Sequence, residues 1–188
     1  MFSTAMMAKA MPRLGSRGFA ATSVEDLARA ARVTTGALYH HFSTKTALFE
    51  IVFEQVHGGL LAKAGDAAGG ASHEVEALSR GFEAFLDGLL LPEVQRILII
   101  DAPAVLGLAR YTELDERYAY ATISEHLREA VVAGRLHVQD TDTIARLLLG
   151  AVTRAGMLIA NAADPRRARD DAASALRRLL LGLAHPPA

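Results

Sequence analysis

The sequence predicts an all-α protein, and three observations lead to this fold class. Apolar residues recur at helical spacing through most of the 188 residues, whereas no segment alternates apolar and polar side chains as a strand would. Capping residues, glycines and prolines divide this pattern into separate helices. No segment is repeated or of low complexity. We predict an N-terminal domain at residues 1–57, here called the head, and a helical C-terminal domain at residues 58–188, here called the body.

The composition excludes several classes of protein. With 51% hydrophobic residues, the chain is able to bury a substantial core. It contains no cysteine and therefore has neither a disulfide nor a thiolate for metal binding or nucleophilic attack. No apolar run approaches the roughly 18–20 residues of a membrane span, and the N-terminal residues lack a signal-peptide pattern. We therefore expect a cytoplasmic protein without a membrane segment.

Charge is distributed unevenly along the chain, although the net charge is only −1. Residues 1–65 hold seven Lys and Arg against four Asp and Glu, which gives +3. Residues 66–188 hold thirteen basic and seventeen acidic residues, which gives −4. A basic end on an acidic body is the polarity expected when one end faces phosphates, but by itself it is weak evidence.

Two short helices joined by a tight turn are predicted in the head. Thr22 and Glu25 have the spacing of a capping box, which begins a helix that lasts to about residue 31. Thr34 is expected to cap the next helix, which lasts to Phe42. Helices joined this closely form a helix-turn-helix, the unit that places its second helix in a DNA major groove.

A third helix is predicted to follow a cap at Ser43. Its buried stripe is expected to consist of Ala47, Leu48, Ile51, Val52 and Val56. The run His57-Gly58-Gly59 weakens this helix, although residues 60–64 could continue it. Residues 65–72 (GDAAGGAS) form the clearest linker in the chain.

Five further helices are predicted in the body. Pro92 and Asp164 mark helix starts, Gly134 marks a helix end, and Pro103 favours a break. The helices are expected at about residues 74–91, 92–100, 114–133, 140–163 and from 165 onward.

The second helix of the helix-turn-helix carries the side chains that predict DNA contacts. Thr34 and Thr35 lie at its N-terminus, where free amides and the helix dipole favour a phosphate. Gly36 and Ala37 add no bulk, so the backbone is able to approach a base closely. Donors one turn later and just beyond the helix suit phosphate oxygens and base edges, namely Tyr39, His40, His41 and Lys45.

One set of positions across the head matches a known family. The set comprises Gly18, Phe19, Thr22–Val24, Leu27, Ala28, Ala31, Val33, Gly36, Leu38–Phe42, Lys45 and Leu48. This pattern, over roughly residues 14–52, resembles the DNA-binding domain of TetR-family transcriptional regulators. By that resemblance, base-facing positions fall at Thr35, Gly36, Ala37 and His41. Positions that commonly hold phosphates fall at Thr22, Tyr39, His40 and Lys45.

The same resemblance carries expectations for the rest of the molecule. It implies a homodimer, an all-helical ligand-binding body, and repression that a small molecule relieves. Residues 92–183, with the run Asp101-Ala102-Pro103-Ala104-Val105-Leu106-Gly107, also resemble one C-terminal type of that family. This second resemblance names no ligand.

The predicted first helix departs from the family pattern. Leu14-Gly15 stands where a Leu-Phe pair is usual. Pro12 falls in the middle of the helix, where it would remove a hydrogen bond at a cost of about 3 kcal/mol. Either this helix is kinked or shortened, or the residues up to Met11 are poorly ordered or not native.

No metal, cofactor or catalytic site is predicted. His40 and His41 are adjacent on a helix and point about 100° apart, and no Asp, Glu or Cys completes a metal site. The sequence contains no glycine-rich phosphate loop. An all-helical enzyme that uses Asp101, Tyr118 and His126 ranks far behind a DNA-binding regulator, so we expect no enzyme.

The helix expected near residues 143–163 is apolar on nearly every face. A second copy of the chain would cover it, with the final helix completing a four-helix interface, and a purely intramolecular core is the alternative. Arg154 and Asn161 share one face of this helix. They either contact an effector or, as we favour, form a structural contact, for which Arg154 has three candidate partners: Asp101, Glu125 and Glu129.

Residues 94–108 have the composition of a small-molecule site, mostly apolar with few polar groups. They equally suit an ordinary helical core. The candidate ligand-binding residues are Asp101, Tyr111, Tyr118, His126, Arg154 and Asn161.

The sequence thus predicts a homodimeric repressor that binds a palindromic operator in double-stranded DNA. A small-molecule effector of unidentified chemistry would release it. The alternative is an activator, or a family member with degenerate DNA binding.

Overall fold

The computed structural model describes residues 4–184, with side chains from residue 11 onward. The described residues form helices and no strand, which confirms the predicted all-α class. In the head and its continuation the helices are α1 (Thr4–Arg17), α2 (Val24–Ala31), α3 (Thr35–His41) and α4 (Lys45–Ala68). In the body they are α5 (Glu74–Gly88), α6 (Pro92–Gln95), the π-helical π1 (Arg96–Asp101), α7 (Ala102–Leu106), α8 (Leu108–Asp115), the π-helical π2 (Glu116–Tyr120), α9 (Ala121–Val132), α10 (Thr141–Ala160) and α11 (Pro165–Gly182).

The cap of α2 lies one residue later than predicted. The Ser23 hydroxyl accepts from the Asp26 amide at 3.0 Å, and the Asp26 carboxylate accepts from the Ser23 amide at 3.3 Å. The capping box is therefore Ser23 with Asp26, and the predicted pair Thr22 with Glu25 is wrong. Thr22 is excluded from this role because it is fully buried.

The caps of the next two helices follow from their hydroxyl residues. The Thr34 hydroxyl accepts from the Ala37 amide at 3.1 Å, which confirms it as the cap of α3. Helix α4 is capped by Thr44, whose hydroxyl accepts from the Ala47 amide at 3.0 Å, so the prediction of Ser43 is wrong by one residue. Neighbouring hydroxyl residues give the same sequence signal, and the backbone angles select between them.

Helix α4 continues through Gly58 and Gly59 without interruption. Two glycines cost roughly 1 kcal/mol each in a helix. The buried residues along α4, including Phe49, Phe53 and Leu60, offset that cost by packing against α1, α5 and the helices that follow. The predicted domain boundary after residue 57 thus falls inside one helix, and the connection to α5 shortens to residues 69–73. Ile51 was expected to be buried but is 38% exposed.

Helix α1 runs through Pro12 and is not shortened. Leu14 is fully buried, and Gly15 lies against α6. A Cβ at Gly15 would overlap the Glu93 Cβ and lie 2.9 Å from the Glu93 Cα. Gly15 is therefore the residue that lets the head pack closely on the body.

The body departs from prediction between residues 92 and 120. Pro103 does not break the chain direction, because it occupies the first turn of α7, where a missing N–H is tolerated. The break comes instead at Gly107, whose φ of +78° favours glycine. The helix expected from residue 114 therefore begins earlier, at Leu108.

Helix α10 forms one wall of the body, and Leu148, Val152 and Ile159 bury their side chains there. By length and mean hydropathy alone it is able to cross a membrane, which the sequence did not predict. Both Leu147 and Leu158 on its other face are more than half exposed. The contacts of its buried face are those of a core helix.

Candidate DNA-binding surface and effector cavity

Helix α3 presents most of the predicted DNA-contacting residues on one surface. Thr34, Gly36, Tyr39, His40 and His41 are exposed, and Tyr39 is 49% exposed. The half-buried Thr35 and Ala37 lie at the first turn of the helix. Leu38 is buried and anchors α3 in the core. The roles of these residues toward DNA stay predictions.

The turn between α2 and α3 is made by Arg32. Its φ of +59° is left-handed, and its amide donates to the carbonyls of α2. The side chain is exposed next to α3 and adds a positive charge beside the candidate DNA-binding surface. Sequence reasoning gave Arg32 no role, since it read this residue only as part of a turn.

Thr22 does not belong to the DNA-facing surface. Its hydroxyl donates to the Gly18 carbonyl at 2.7 Å, and its side chain is fully buried. The predicted phosphate contact through this hydroxyl is therefore wrong. Thr22 instead stabilises the turn between α1 and α2, in which Gly18 adopts a φ of +81°.

Lys45 ties the start of α4 to that same turn. Its ammonium donates to the Phe19 carbonyl at 2.5 Å and lies 4.0 Å from the centre of the Phe19 ring. An ammonium has three donors, so a phosphate contact at its outer side is compatible with this geometry. The predicted phosphate contact stays a prediction, and Lys45 also has a structural role.

The pKa of His41, at the end of α3, is lowered by its surroundings. Desolvation first, and then the neighbouring His40, lower the pKa of His41 below its ordinary value. The two rings meet edge to face with centroids 5.2 Å apart. At neutral pH the imidazole of His41 is therefore mostly uncharged, and a neutral imidazole has one donor and one acceptor.

A cavity of about 280 Å³ lies in the body between α4, α5, π2, α9 and α10. Its walls are mainly apolar and include Leu61, Phe82, Ile123 and Val152. The polar side chains that line it are His57, Asp115, Tyr118, Thr122, His126 and Thr153. Lys and Arg are absent from the described lining, so the imidazoles of His57 and His126 are its basic side chains and Asp115 is its acidic one.

His57 is the most unusual of these residues. It is 2% exposed, and neither ring nitrogen has a hydrogen-bond partner among the described residues. Nε2 lies 3.3 Å from Asp115 Oδ1, close enough for attraction but not oriented for a hydrogen bond. Asp115 Oδ2 accepts from the Thr153 hydroxyl at 3.1 Å. A buried, unsatisfied imidazole at a cavity wall is a candidate hydrogen-bonding partner for a molecule in that cavity.

Sequence reasoning missed His57, Asp115 and Thr153. His57 stands before two glycines and was interpreted as the weakening of a helix. A signal was available, because His57 continues the stripe of Phe49, Phe53 and Val56 on the buried face of α4. Pairing it with Asp115 requires the packing of α8 on α4.

Two of the six predicted ligand-binding residues line this cavity, Tyr118 and His126. Tyr111 is buried beside it rather than in its wall, and burial together with the charge of Asp115 raises the pKa of its phenol. Asp101, Arg154 and Asn161 lie elsewhere, so assigning them to the cavity was wrong.

The misplaced residues have structural contacts of their own. Arg154 is exposed, and its guanidinium lies 4.0 Å from the Met157 sulfur rather than against the predicted Asp101, Glu125 or Glu129. The Asn161 amide donates to the Met157 carbonyl at the end of α10. Asp101 accepts from the Phe19 amide at 2.7 Å, which links π1 of the body to the head.

A row of polar pairs joins α4 to the segment from α8 to π2. Arg110 donates to Glu50, with Nε at 3.1 Å, and Arg117 lies 3.7 Å from Glu54. His57 against Asp115 is the third pair in the row and the one that reaches the cavity. The cavity and the base of the head therefore share one continuous helix, α4.

Comparison with known proteins agrees with both halves of this arrangement. Residues 7–52 match the family model of bacterial regulatory proteins of the tetR family. Residues 75–183 match the model of the tetracyclin repressor-like C-terminal domain. The chain belongs to the TetR family. It is accordingly a DNA-binding transcriptional regulator and not an enzyme.

Solved TetR-family structures share the whole fold. A regulator from Pectobacterium atrosepticum is 31% identical, with a TM-score of 0.85 over 97% of this chain and 94% of its own. RolR in complex with resorcinol is 15% identical, with a TM-score of 0.75 over 97% of this chain and 92% of its own. Among curated proteins, the transposon Tn10 TetC protein of Escherichia coli is 25% identical over 71% of this chain and 68% of its own length.

Proposed function

We propose that this TetR-family regulator is a cytoplasmic repressor that leaves a palindromic operator when a small molecule enters the cavity beside His57. The single observation that carries the proposal is the position of the cavity along α4. The helix that bears His57 in the cavity wall begins at Lys45, three residues after α3 and its cap. A ligand and the operator therefore compete for the position of one helix.

The mechanism follows from the row of pairs along α4. A ligand seated between His57 and Asp115 separates α8 and π2 from α4, and Arg110 and Arg117 transmit the displacement to the acidic residues nearer the head. In a dimer, two recognition helices must match successive major grooves about 34–36 Å apart. A change in the tilt of α4 removes that match, and operator affinity falls.

The proposed dimer uses the outer faces of α10 and α11. Leu147 and Leu158 on α10 and Leu179 and Leu181 on α11 are each more than half exposed. Large apolar side chains that remain exposed on two neighbouring helices favour a protein interface there. We expect Leu147→Glu with Leu158→Glu to give a monomer in analytical ultracentrifugation, whereas Val132→Glu, an exposed apolar control on α9, leaves the dimer intact.

DNA selection tests the proposed operator directly. Sequencing of DNA enriched by the purified protein should give a palindrome, because a two-fold dimer reads two identical half-sites. Selected sequences without internal symmetry would contradict the proposed dimeric binding.

Gel-shift titration then tests the residues. Tyr39→Phe should weaken binding to every sequence alike, since it removes only a phosphate-facing hydroxyl, whereas Thr35→Ala should alter sequence preference. An exposed residue of the body, Gln139, serves as the control. If Tyr39→Phe changed sequence preference and Thr35→Ala did not, the proposed docking of α3 would be wrong.

A further inference from the structure

The polar groups of the cavity restrict the chemistry of its ligand. His57 is a buried imidazole, and neither of its ring nitrogens has a hydrogen-bond partner among the described residues. Asp115 Oδ1 lies 3.3 Å from His57 Nε2, and Asp115 Oδ2 accepts from the Thr153 hydroxyl. A ligand group that donates one hydrogen bond and accepts another would satisfy this pair, and a hydroxyl does both.

The charge of Asp115 disfavours a ligand with an ionised polar group. The described lining has an aspartate and no Lys or Arg, so a carboxylate or phosphate would be placed near a like charge with no guanidinium or ammonium to pair with it. An ammonium would find Asp115, but it brings donors only. An ammonium would therefore give the imidazole N–H of His57 no acceptor. An uncharged polar group therefore fits better than an ion of either sign.

The cavity walls indicate the shape and size of the ligand's apolar part. The His57 ring meets the rings of Phe85 and Tyr118 edge to face, each with centroids 6.0 Å apart, and all three line the cavity. Such an aromatic enclosure suits a flat apolar body. A cavity of about 150 Å³ holds benzene. The space of about 280 Å³ therefore accommodates about ten to twelve non-hydrogen atoms.

We propose that the effector is an uncharged, largely apolar aromatic molecule of that size with one hydroxyl group, which bonds to His57 and Asp115. The inference rests on the proposed function, in that it treats this cavity as the effector site. It adds the chemical class of the effector and the two residues that select it.

Four matched probes test the class. Naphthalene, 2-naphthol, 2-naphthoate and 2-naphthylmethylamine share one ring system and differ in the polar group. Binding to the full-length protein is measured by isothermal titration calorimetry at pH 7.5. We expect 2-naphthol to bind about tenfold more tightly than naphthalene, the value of one to two satisfied hydrogen bonds. The carboxylate and the amine should bind more weakly than 2-naphthol.

Variants identify the selecting residue. His57→Leu should reduce the preference of 2-naphthol over naphthalene to less than threefold while naphthalene itself still binds, which shows that the variant is folded. His137→Leu is the matched control, because His137 is exposed and does not line the cavity. It should leave the preference unchanged.

Several results would overturn the proposal. One is tightest binding by the carboxylate or by the amine, and another is an absence of saturable binding by all four probes. A third is a preference for 2-naphthol that survives in His57→Leu. A gel-shift assay distinguishes failure of the proposed ligand class from failure of the proposed release mechanism. If 2-naphthol binds through His57 but does not release DNA, the chemical class stands and the release mechanism fails.

Discussion

Removal of the Asp101 carboxylate should loosen the head from the body without touching the cavity. Asp101 ends π1 and accepts from the Phe19 amide at 2.7 Å, and its Oδ2 would lie 3.3 Å from a Cβ at Gly18. Asp101→Ala leaves this amide without its partner. A hydrogen bond to a charged group contributes about 1.5–3 kcal/mol, and Asp101 is only half-buried, so the lower end applies.

The expected loss is about 1.5 kcal/mol in the free energy of unfolding. For a chain of 188 residues this corresponds to a decrease in Tm of about 3–6 °C. Urea unfolding and calorimetry at one fixed protein concentration measure it, since dimerisation makes Tm depend on concentration. Asp171→Ala is the matched control, because Asp171 is exposed and its ion pair with Arg167 is 4.0 Å long. That control should change stability by less than about 0.5 kcal/mol.

Two results would refute this reasoning. If Asp101→Ala unfolded at the same free energy as the wild type, the link between Phe19 and Asp101 would not hold the head. If it abolished binding of 2-naphthol while stability was unchanged, Asp101 would be the ligand-binding residue that the sequence first predicted. Asp101→Asn, which keeps a neutral acceptor, should recover about half of the lost stability.

Three further predictions concern the head and its packing. Gly15→Val should destabilise the protein by more than Gly15→Ala, because a larger side chain meets the Glu93 backbone; equal denaturation midpoints for the two variants would contradict this contact. Operator affinity should rise as the pH falls toward the lowered pKa of His41, because its ring is uncharged at higher pH and gains a positive charge beside the DNA when it is protonated. In gel shifts His41→Gln should lose most of that pH dependence. Lys45→Met should lower the Tm, because the Lys45 ammonium bonds to Phe19, and should also lower the DNA affinity at low salt through loss of the predicted phosphate contact. If neither quantity changed, both the structural role and the phosphate contact would be contradicted.

The helical pattern and the helix-turn-helix were predictable from the sequence, and so was the family. Local spacing and capping residues predict where such helices begin and end. Thr34, for example, caps α3 at the predicted position. The one-residue errors at Ser23 and Thr44 arise because adjacent hydroxyl residues carry the same local signal.

The site in the body was only partly predictable. Tyr118 and His126 were predicted to be ligand-binding residues, and both line the cavity. Helical periodicity shows which residues share a face, but it does not show which helix lies opposite. Asp101 was therefore assigned to a ligand when it bonds to Phe19, and Arg154 was given an acidic partner when it is exposed.

The sequence by itself determined the head of this protein, because its signal lies in short-range spacing that each turn of helix repeats. Only the tertiary structure decided which polar residues of the body contact one another and which line the cavity. His57 and Asp115 are 58 positions apart and meet only because α8 packs on α4. Gly15, which reads as a defect in α1, is the point where the Glu93 backbone approaches. Contacts between distant segments depend on the packing of whole helices, and no local pattern encodes that packing.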